Sequence, residues 1–163
     1  MKISVIIPVK NRAHIIKETI NSVISTNYPH LEIIIVDNNS KDNIAEIVRN
    51  YKNVKYIKGL TKDISFLIDF IPNIIYHLGE YSRVEQSFDD IEKVWNSNKN
   101  GAFAVLQFCR KTKAKIVYAG SSTKFGNGGL GRSQSPYAWS KASNTELVEN
   151  YANWFGIKYA ITY

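Results

Sequence analysis

A single cysteine, Cys109, leaves this chain without an internal disulfide, and three scattered histidines provide no metal-ligand cluster, so a fold stapled by disulfides or a structural metal is excluded. No apolar run approaches the ~18 residues of a membrane span. The opening Met1-Lys2-Ile3-Ser4 lacks the charged-then-apolar layout of a signal peptide, and a cytoplasmic protein is expected. A basic run is also missing. The net charge of +7 is spread, with ten Lys/Arg against five Asp/Glu in residues 1–62 and eleven against nine in residues 63–163. That distribution argues against nucleic acid and favours small polyanions such as nucleotides as partners.

What is present is enough chain for one compact domain: 163 residues, 44% of them hydrophobic. Short β-branched runs alternate with longer amphipathic stretches, the pattern of a parallel sheet covered by helices. The strands expected are Ile3 to Ile7, Glu32 to Val36, Val54 to Ile57, Asn73 to His77, Lys115 to Tyr118 and Lys158 to Thr162. The helices expected between them are Ala13 to Ser25, Asn43 to Tyr51, Ile64 to Phe70, Phe88 to Arg110 and Pro136 to Phe155. Six β/α units predict an α/β, Rossmann-like, doubly wound and mostly parallel six-stranded sheet with helices on both faces. Asp42 is expected to cap the second helix, and Pro136 suits the first turn of the last. Four glycines in the six residues 126–131 mark a mobile loop. In such a sheet, ligands lie beyond the carboxyl ends of the strands, so the segments after Ile7, Val36, Ile57, His77 and Tyr118 are where chemistry is expected.

Two stretches carry family resemblances. Ser4-Val5-Ile6-Ile7-Pro8-Val9-Lys10-Asn11-Arg12 and Leu31-Glu32-Ile33-Ile34-Ile35-Val36-Asp37-Asn38-Asn39-Ser40-Lys41-Asp42-Asn43 resemble the start of the family 2 GT-A glycosyltransferases. There the first strand ends in proline and the second in an aspartate, and the resemblance implies that Pro8 and Asp37 contact the nucleotide of a sugar donor. A carboxylate suits that role because it accepts hydrogen bonds from uracil or ribose; an aspartate after a strand also serves simply to hold a turn. The Asp-x-Asp metal site and the later carboxylate base of such transferases do not follow, and the resemblance stops near Ile57. No metal is therefore expected. Asp89-Asp90 starts a helix instead.

From Gly59 onward the chain resembles the extended short-chain dehydrogenase/reductases, specifically the NAD-dependent sugar-nucleotide epimerases and dehydratases. Four segments appear in that family's order: Ile74-Ile75-Tyr76-His77-Leu78-Gly79-Glu80-Tyr81-Ser82-Arg83-Val84, then Asn98-Lys99-Asn100-Gly101-Ala102, then Lys115 through Gly126, then Ser135-Pro136-Tyr137-Ala138-Trp139-Ser140-Lys141. The resemblance implies Ser121, Tyr137 and Lys141 as the catalytic triad, and Asp37, Leu78, Gly79, Asn98 and Lys141 along an NAD or NADP cofactor. Asn98 is implied as a support for the active-site helix. Tyr137 and Lys141, four apart, share one helix face, where an ammonium favours the phenolate of a tyrosine base. The tyrosine would take the proton of a sugar hydroxyl held by Ser121 while the carbon beneath gives a hydride to the nicotinamide.

The spacing alone is weak. Ten tyrosines and sixteen lysines predict about one Tyr-x-x-x-Lys by chance, and Tyr51 with Lys55 is such a pair. The serine-rich strand and the His77-Leu78-Gly79 segment, in order, carry the assignment. Against it, the glycine-rich turn that takes the cofactor pyrophosphate is replaced by Pro8-Val9-Lys10-Asn11-Arg12-Ala13-His14, and the epimerase-like part is expected to be truncated before the family's sugar-nucleotide subdomain. The expectation is one Rossmann-like domain, residues 1–58 transferase-like and 59–163 epimerase-like. Its partner would be a nucleotide-sugar; the alternatives are a transferase-like nucleotide-sugar binding fragment using Pro8 and Asp37, or a non-catalytic hybrid. Cys109 and His77 read as structural and Trp139, Trp154 and Phe155 as packing residues; the epimerase resemblance implies that part of their helix surface faces a second copy of the chain in a homodimer.

Overall fold

The computed structural model describes residues 3–163, apart from the side chain of Asn127. The chain divides into two compact units, Met1–Leu60 and Thr61–Tyr163.

In the first unit, β1 (Ile3–Val9), α1 (Ala13–Ile24), β2 (Leu31–Asp37), α2 (Ile44–Arg49) and β3 (Val54–Lys58) follow one another. The three strands are parallel in the order β1-β2-β3, with Val9 opposite Asp37 and Asp37 opposite Lys58. The central strand is the continuous apolar run, buried from Ile33 to Asp37, as a strand covered on both faces requires. Ile16 and Ile20, one turn apart on α1, pack with Ile33, Ile35, Ile44 and Val48 in the core. Pro8 is tolerated inside β1 because that strand has a neighbour on one side only in this sheet.

In the second unit a short 3₁₀ turn (Thr61–Asp63) enters α3 (Ile64–Leu67), followed by β4 (Ile74–His77), α4 (Ile91–Val94), α5 (Gly101–Thr112), β5 (Lys115–Ala119), α6 (Pro136–Phe155) and β6 (Tyr159–Thr162). β4-β5-β6 form a second parallel sheet with β5 central. Val105, Leu106 and Cys109 of α5, Ile116 and Tyr118 of β5, and Val148 and Tyr151 of α6 make its core. Ser135 accepts from the Ala138 N–H at 3.0 Å to start α6, Pro136 fills its first turn, and Gly156 ends it at φ 68°, where a Cβ would be strained.

The expectation of one six-stranded sheet is corrected: among the described residues the strands pair as two three-stranded sheets. Apolar periodicity fixes which segments are strands, but pairing between segments far apart in sequence leaves no mark in it. The helix expected over Phe88 to Arg110 is also broken. Between α4 and α5 the residues Trp95–Asn100 run as a π-helical segment, a local widening common where a side chain must be aimed inward. The stretch expected to be a glycine loop, residues 126–131, runs into a kinked 3₁₀ segment, Asn127–Ser133, with Gly128 and Gly129 at φ 63° and 93°. Gly131 is required there, because a Cβ would fall 1.9 Å from the Thr123 carbonyl oxygen.

Candidate active site

In the second unit, the site grows from the carboxyl end of β5. The strand stops at Ala119, and Gly120 lets the chain pass so close to β6 that a Cβ would lie 2.8 Å from the Tyr163 ring. Ser121 then adopts an extended conformation and starts the next turn, its Oγ accepting from the Thr123 N–H at 3.3 Å and lying 2.9 Å from Thr123 Oγ1. The Tyr137 hydroxyl, in the first turn of α6, donates to Ser121 Oγ at 3.5 Å. Lys141 sits one turn further on the same helix, 5% exposed. Ser121 and Tyr137 are thus brought together, both partly exposed.

Lys141 is held elsewhere than on Tyr137. Its Nζ donates to Glu80 Oε2 at 2.5 Å and to the Ala119 carbonyl oxygen, and lies 4.5 Å from the centre of the Tyr118 ring. Glu80, its side chain only 3% exposed, follows β4. It also accepts from the Tyr118 hydroxyl at 2.8 Å, from Asn144 Nδ2 at 3.3 Å and from His77 Nε2 at 3.2 Å. Burial works against its charge, but the hydrogen bond and charge of His77 and the charge of Lys141 outweigh it and hold the Glu80 carboxyl below the usual carboxylate range. Burial first, then the Glu80 charge, pushes the Tyr118 phenol well above its usual value. Glu80 escaped the sequence reading. The signal was there: a lysine buried on a helix needs an acidic partner, and an isolated carboxylate directly after a strand is the place to look for one.

Asn98, fully buried in the π-helical segment, accepts from the Tyr81 N–H at 2.8 Å and donates to the Tyr81 carbonyl at 3.2 Å and to Ser140 Oγ at 2.9 Å. Ser140 in turn donates to the Tyr137 carbonyl at 2.7 Å, so Asn98 is tied to the turn of α6 that carries Tyr137. Leu78 and Gly79 lie exposed directly after β4.

In the first unit, Pro8 and Asp37 lie on adjacent strands near their carboxyl ends. Asp37 is 1% exposed. One carboxylate oxygen accepts from the Ser40 N–H at 2.9 Å and from the Ser40 hydroxyl at 2.5 Å, and the other accepts from the Tyr56 hydroxyl at 2.5 Å. Burial raises its pKa, but these hydrogen bonds and the charge of Lys58 prevail and keep it below the usual range. The Tyr56 phenol is pushed up to about 12 by burial and by its bond to Asp37.

Asp42 was expected to cap α2, but Asn43 occupies that position and the Asp42 carboxylate reaches back to accept from the Ala13 N–H of α1 at 2.8 Å. The favourable interaction of an anion with a helix N-terminus explains the choice. Asn11, at φ 50°, ties the two turns together: its N–H donates to Ser40 Oγ at 2.9 Å and its Oδ1 accepts from the Lys41 N–H at 2.8 Å.

The dinucleotide implied for an epimerase fold needs the amides at the start of α1 for its pyrophosphate. Here the first of them is taken by the Asp42 carboxylate, and every residue from Pro8 to His14 carries a Cβ. The residues of this turn do not fit an NAD pyrophosphate. Among the described residues there is also no group of three or more His, Cys, Asp and Glu side chains placed to hold a metal, and no helix long and apolar enough to cross a membrane.

Comparison with known proteins divides along the chain. The model of glycosyl transferase family 2 matches residues 4–63. Poly-beta-1,6-N-acetyl-D-glucosamine synthase of Staphylococcus epidermidis is 40% identical over 50 residues, 31% of this chain and 12% of the synthase. The structural neighbours span nearly the whole chain. UDP-glucose 4-epimerase from Brucella ovis, solved with NAD, is 18% identical at a TM-score of 0.65, covering 97% of this chain and 50% of that one. dTDP-glucose 4,6-dehydratase from Streptomyces venezuelae, solved with NAD, is 19% identical at a TM-score of 0.68, covering 96% and 54%. The chain therefore spans about half the length of these structures and a much smaller part of the synthase. By sequence its amino-terminal segment is similar to family 2 glycosyl transferases, and by fold it is similar to the NAD-dependent epimerases and dehydratases of the extended short-chain dehydrogenase/reductase type.

Proposed function

We propose that this chain is an epimerase/dehydratase-like nucleotide-sugar protein whose second unit engages a sugar hydroxyl. Ser121 positions the hydroxyl, Tyr137 exchanges its proton, and Lys141 supplies positive charge from the same helix. The observation that supports this is the Tyr137–Ser121 hydrogen bond at 3.5 Å at the carboxyl end of β5. A sugar hydroxyl entering between the two oxygens would replace that long contact with two shorter bonds. Leu78, Gly79 and Asn98 are the residues of the second unit that the reading places along the ligand or behind it. Hydride transfer at a sugar carbon, which the resemblance implies with NAD or NADP, is not assigned to this chain, because the turn after β1 does not fit that cofactor.

Calorimetric titration with UDP-glucose and with UDP tests the proposal. Each of Ser121→Ala and Tyr137→Phe removes one hydrogen bond, about 1 kcal/mol, so each weakens UDP-glucose binding about five-fold and leaves UDP binding unchanged. Equal losses for both ligands, or no loss for either, remove the assignment of the sugar to these residues.

A second reading is favoured by the transferase match over residues 4–63: the first unit binds a nucleotide through Pro8 and Asp37. In that case Asp37→Asn weakens UDP itself, and unchanged UDP affinity rules the role out. A chain that binds neither UDP nor UDP-glucose is a folded hybrid without a ligand.

A further inference from the structure

We propose that Glu80 is the positioning residue of Lys141: a buried countercharge that holds its ammonium on the helix that carries Tyr137. The inference deepens the reading above and rests on it for the role of Lys141. Two features of the second unit carry it. Lys141 and Glu80 are both almost wholly buried, with side chains 6% and 3% exposed, and they meet at 2.5 Å. Lysine and glutamate are rarely buried without a partner, because each loses most of its hydration. Glu80 is also built to remain an anion: its two oxygens receive Lys141, Tyr118, Asn144 and His77, contributed by β4, β5 and α6.

The groups that face this pair are accounted for. On the β5 side they are the Tyr118 ring and hydroxyl and the Ala119 carbonyl. At the end of β4 it is His77, stacked on Tyr118 with ring centres 5.8 Å apart. From the π-helical segment, the Lys99 ammonium is under the electrostatic influence of Glu80 while donating to Asn144 at 2.9 Å and Ser143 at 3.0 Å. Glu80 is the one carboxylate in this set, so it alone balances the buried Lys141 charge. The carboxylate and the Ala119 carbonyl accept from the ammonium, which also lies over the Tyr118 ring.

Amine acylation provides the test, because only a neutral amine attacks acetic anhydride. The full-length chain is pulsed with the reagent at pH 8, and labelling at Lys141 is measured by peptide mass spectrometry relative to the exposed Lys93. Glu80→Gln keeps the size and an acceptor oxygen but removes the charge, and Lys141 labelling rises about ten-fold. Tyr118→Phe removes a hydrogen bond of the same cluster without touching a charge, and Lys141 labelling stays at the parent level. Should Glu80→Gln fail to fold by circular dichroism, Glu80→Asp replaces it: with the charge retained, Lys141 stays within two-fold of the parent. Parent-level labelling in a folded Glu80→Gln, equal increases in Glu80→Gln and Tyr118→Phe, or a large increase in Glu80→Asp overturns the proposal. None of these readouts depends on sugar binding, so the failure of the ligand reading and the failure of the countercharge are told apart.

Discussion

Asn98 gives the sharpest energetic prediction, because its side chain makes three hydrogen bonds and two of the partners keep another bond without it. Asn98→Ala removes the bonds to the Tyr81 N–H, the Tyr81 carbonyl and Ser140 Oγ. The Tyr81 N–H keeps Ser97 Oγ at 3.0 Å, and Ser140 keeps the Tyr137 carbonyl at 2.7 Å. Three net bonds of about 1 kcal/mol each, partly backed up in this way, predict a loss of about 2 kcal/mol. For a unit of this size that is a fall in melting temperature of roughly 10 °C. Ser97→Ala alone leaves Asn98 on the Tyr81 N–H and costs about 0.5 kcal/mol. The double variant strands that N–H, so the two changes together exceed their sum by about 1 kcal/mol. Urea unfolding of the four proteins, followed by circular dichroism, measures the cycle. Strict additivity, or an Asn98→Ala cost below 0.5 kcal/mol, refutes the account of Asn98 as the tie between the post-β4 turn and the helix that carries Tyr137.

Two further predictions concern titration and reactivity. Because Asp37 has a folded-state pKa below its ordinary value of 3.8, it contributes stability that is complete above about pH 4 and lost as the pH falls through the folded-state value. The destabilisation caused by Asp37→Asn in urea melts is therefore constant near neutral pH and shrinks in stronger acid; a difference that grows with acidity contradicts this. Cys109 is fully buried and its thiol is pushed up to about 12 by desolvation, so iodoacetamide labels it only as the second unit unfolds. Prompt labelling in native buffer at pH 8 refutes that placement.

Most strand and helix segments were legible because β-branched runs and apolar spacing act locally; the run from Glu32 to Val36 reads as a buried strand with no tertiary information, and the structure extends it by one residue at each end, to Leu31–Asp37. The Ser121–Tyr137 pairing was legible only through resemblance, since the spacing of Tyr137 and Lys141 recurs by chance at Tyr51 and Lys55. Three features lie beyond local patterning. The division into two sheets depends on pairing between distant strands, which apolar patterning does not encode. The widened turn at Trp95–Asn100 follows from where Asn98 must point, not from the propensities of that segment. Asp42 and Asn43 both suit a cap, and only the approach of α1 to the turn after β2 decides that Asp42 serves Ala13.

The chain combines a Tyr137–Ser121 hydrogen bond at the carboxyl end of β5 with a first helix amide occupied by its own carboxylate. Calorimetric titration of the parent chain with NAD and, separately, with UDP-glucose measures the consequence of both. The account predicts saturable heat with UDP-glucose and none with NAD at the same concentrations. Saturable NAD binding without any response to UDP-glucose contradicts it.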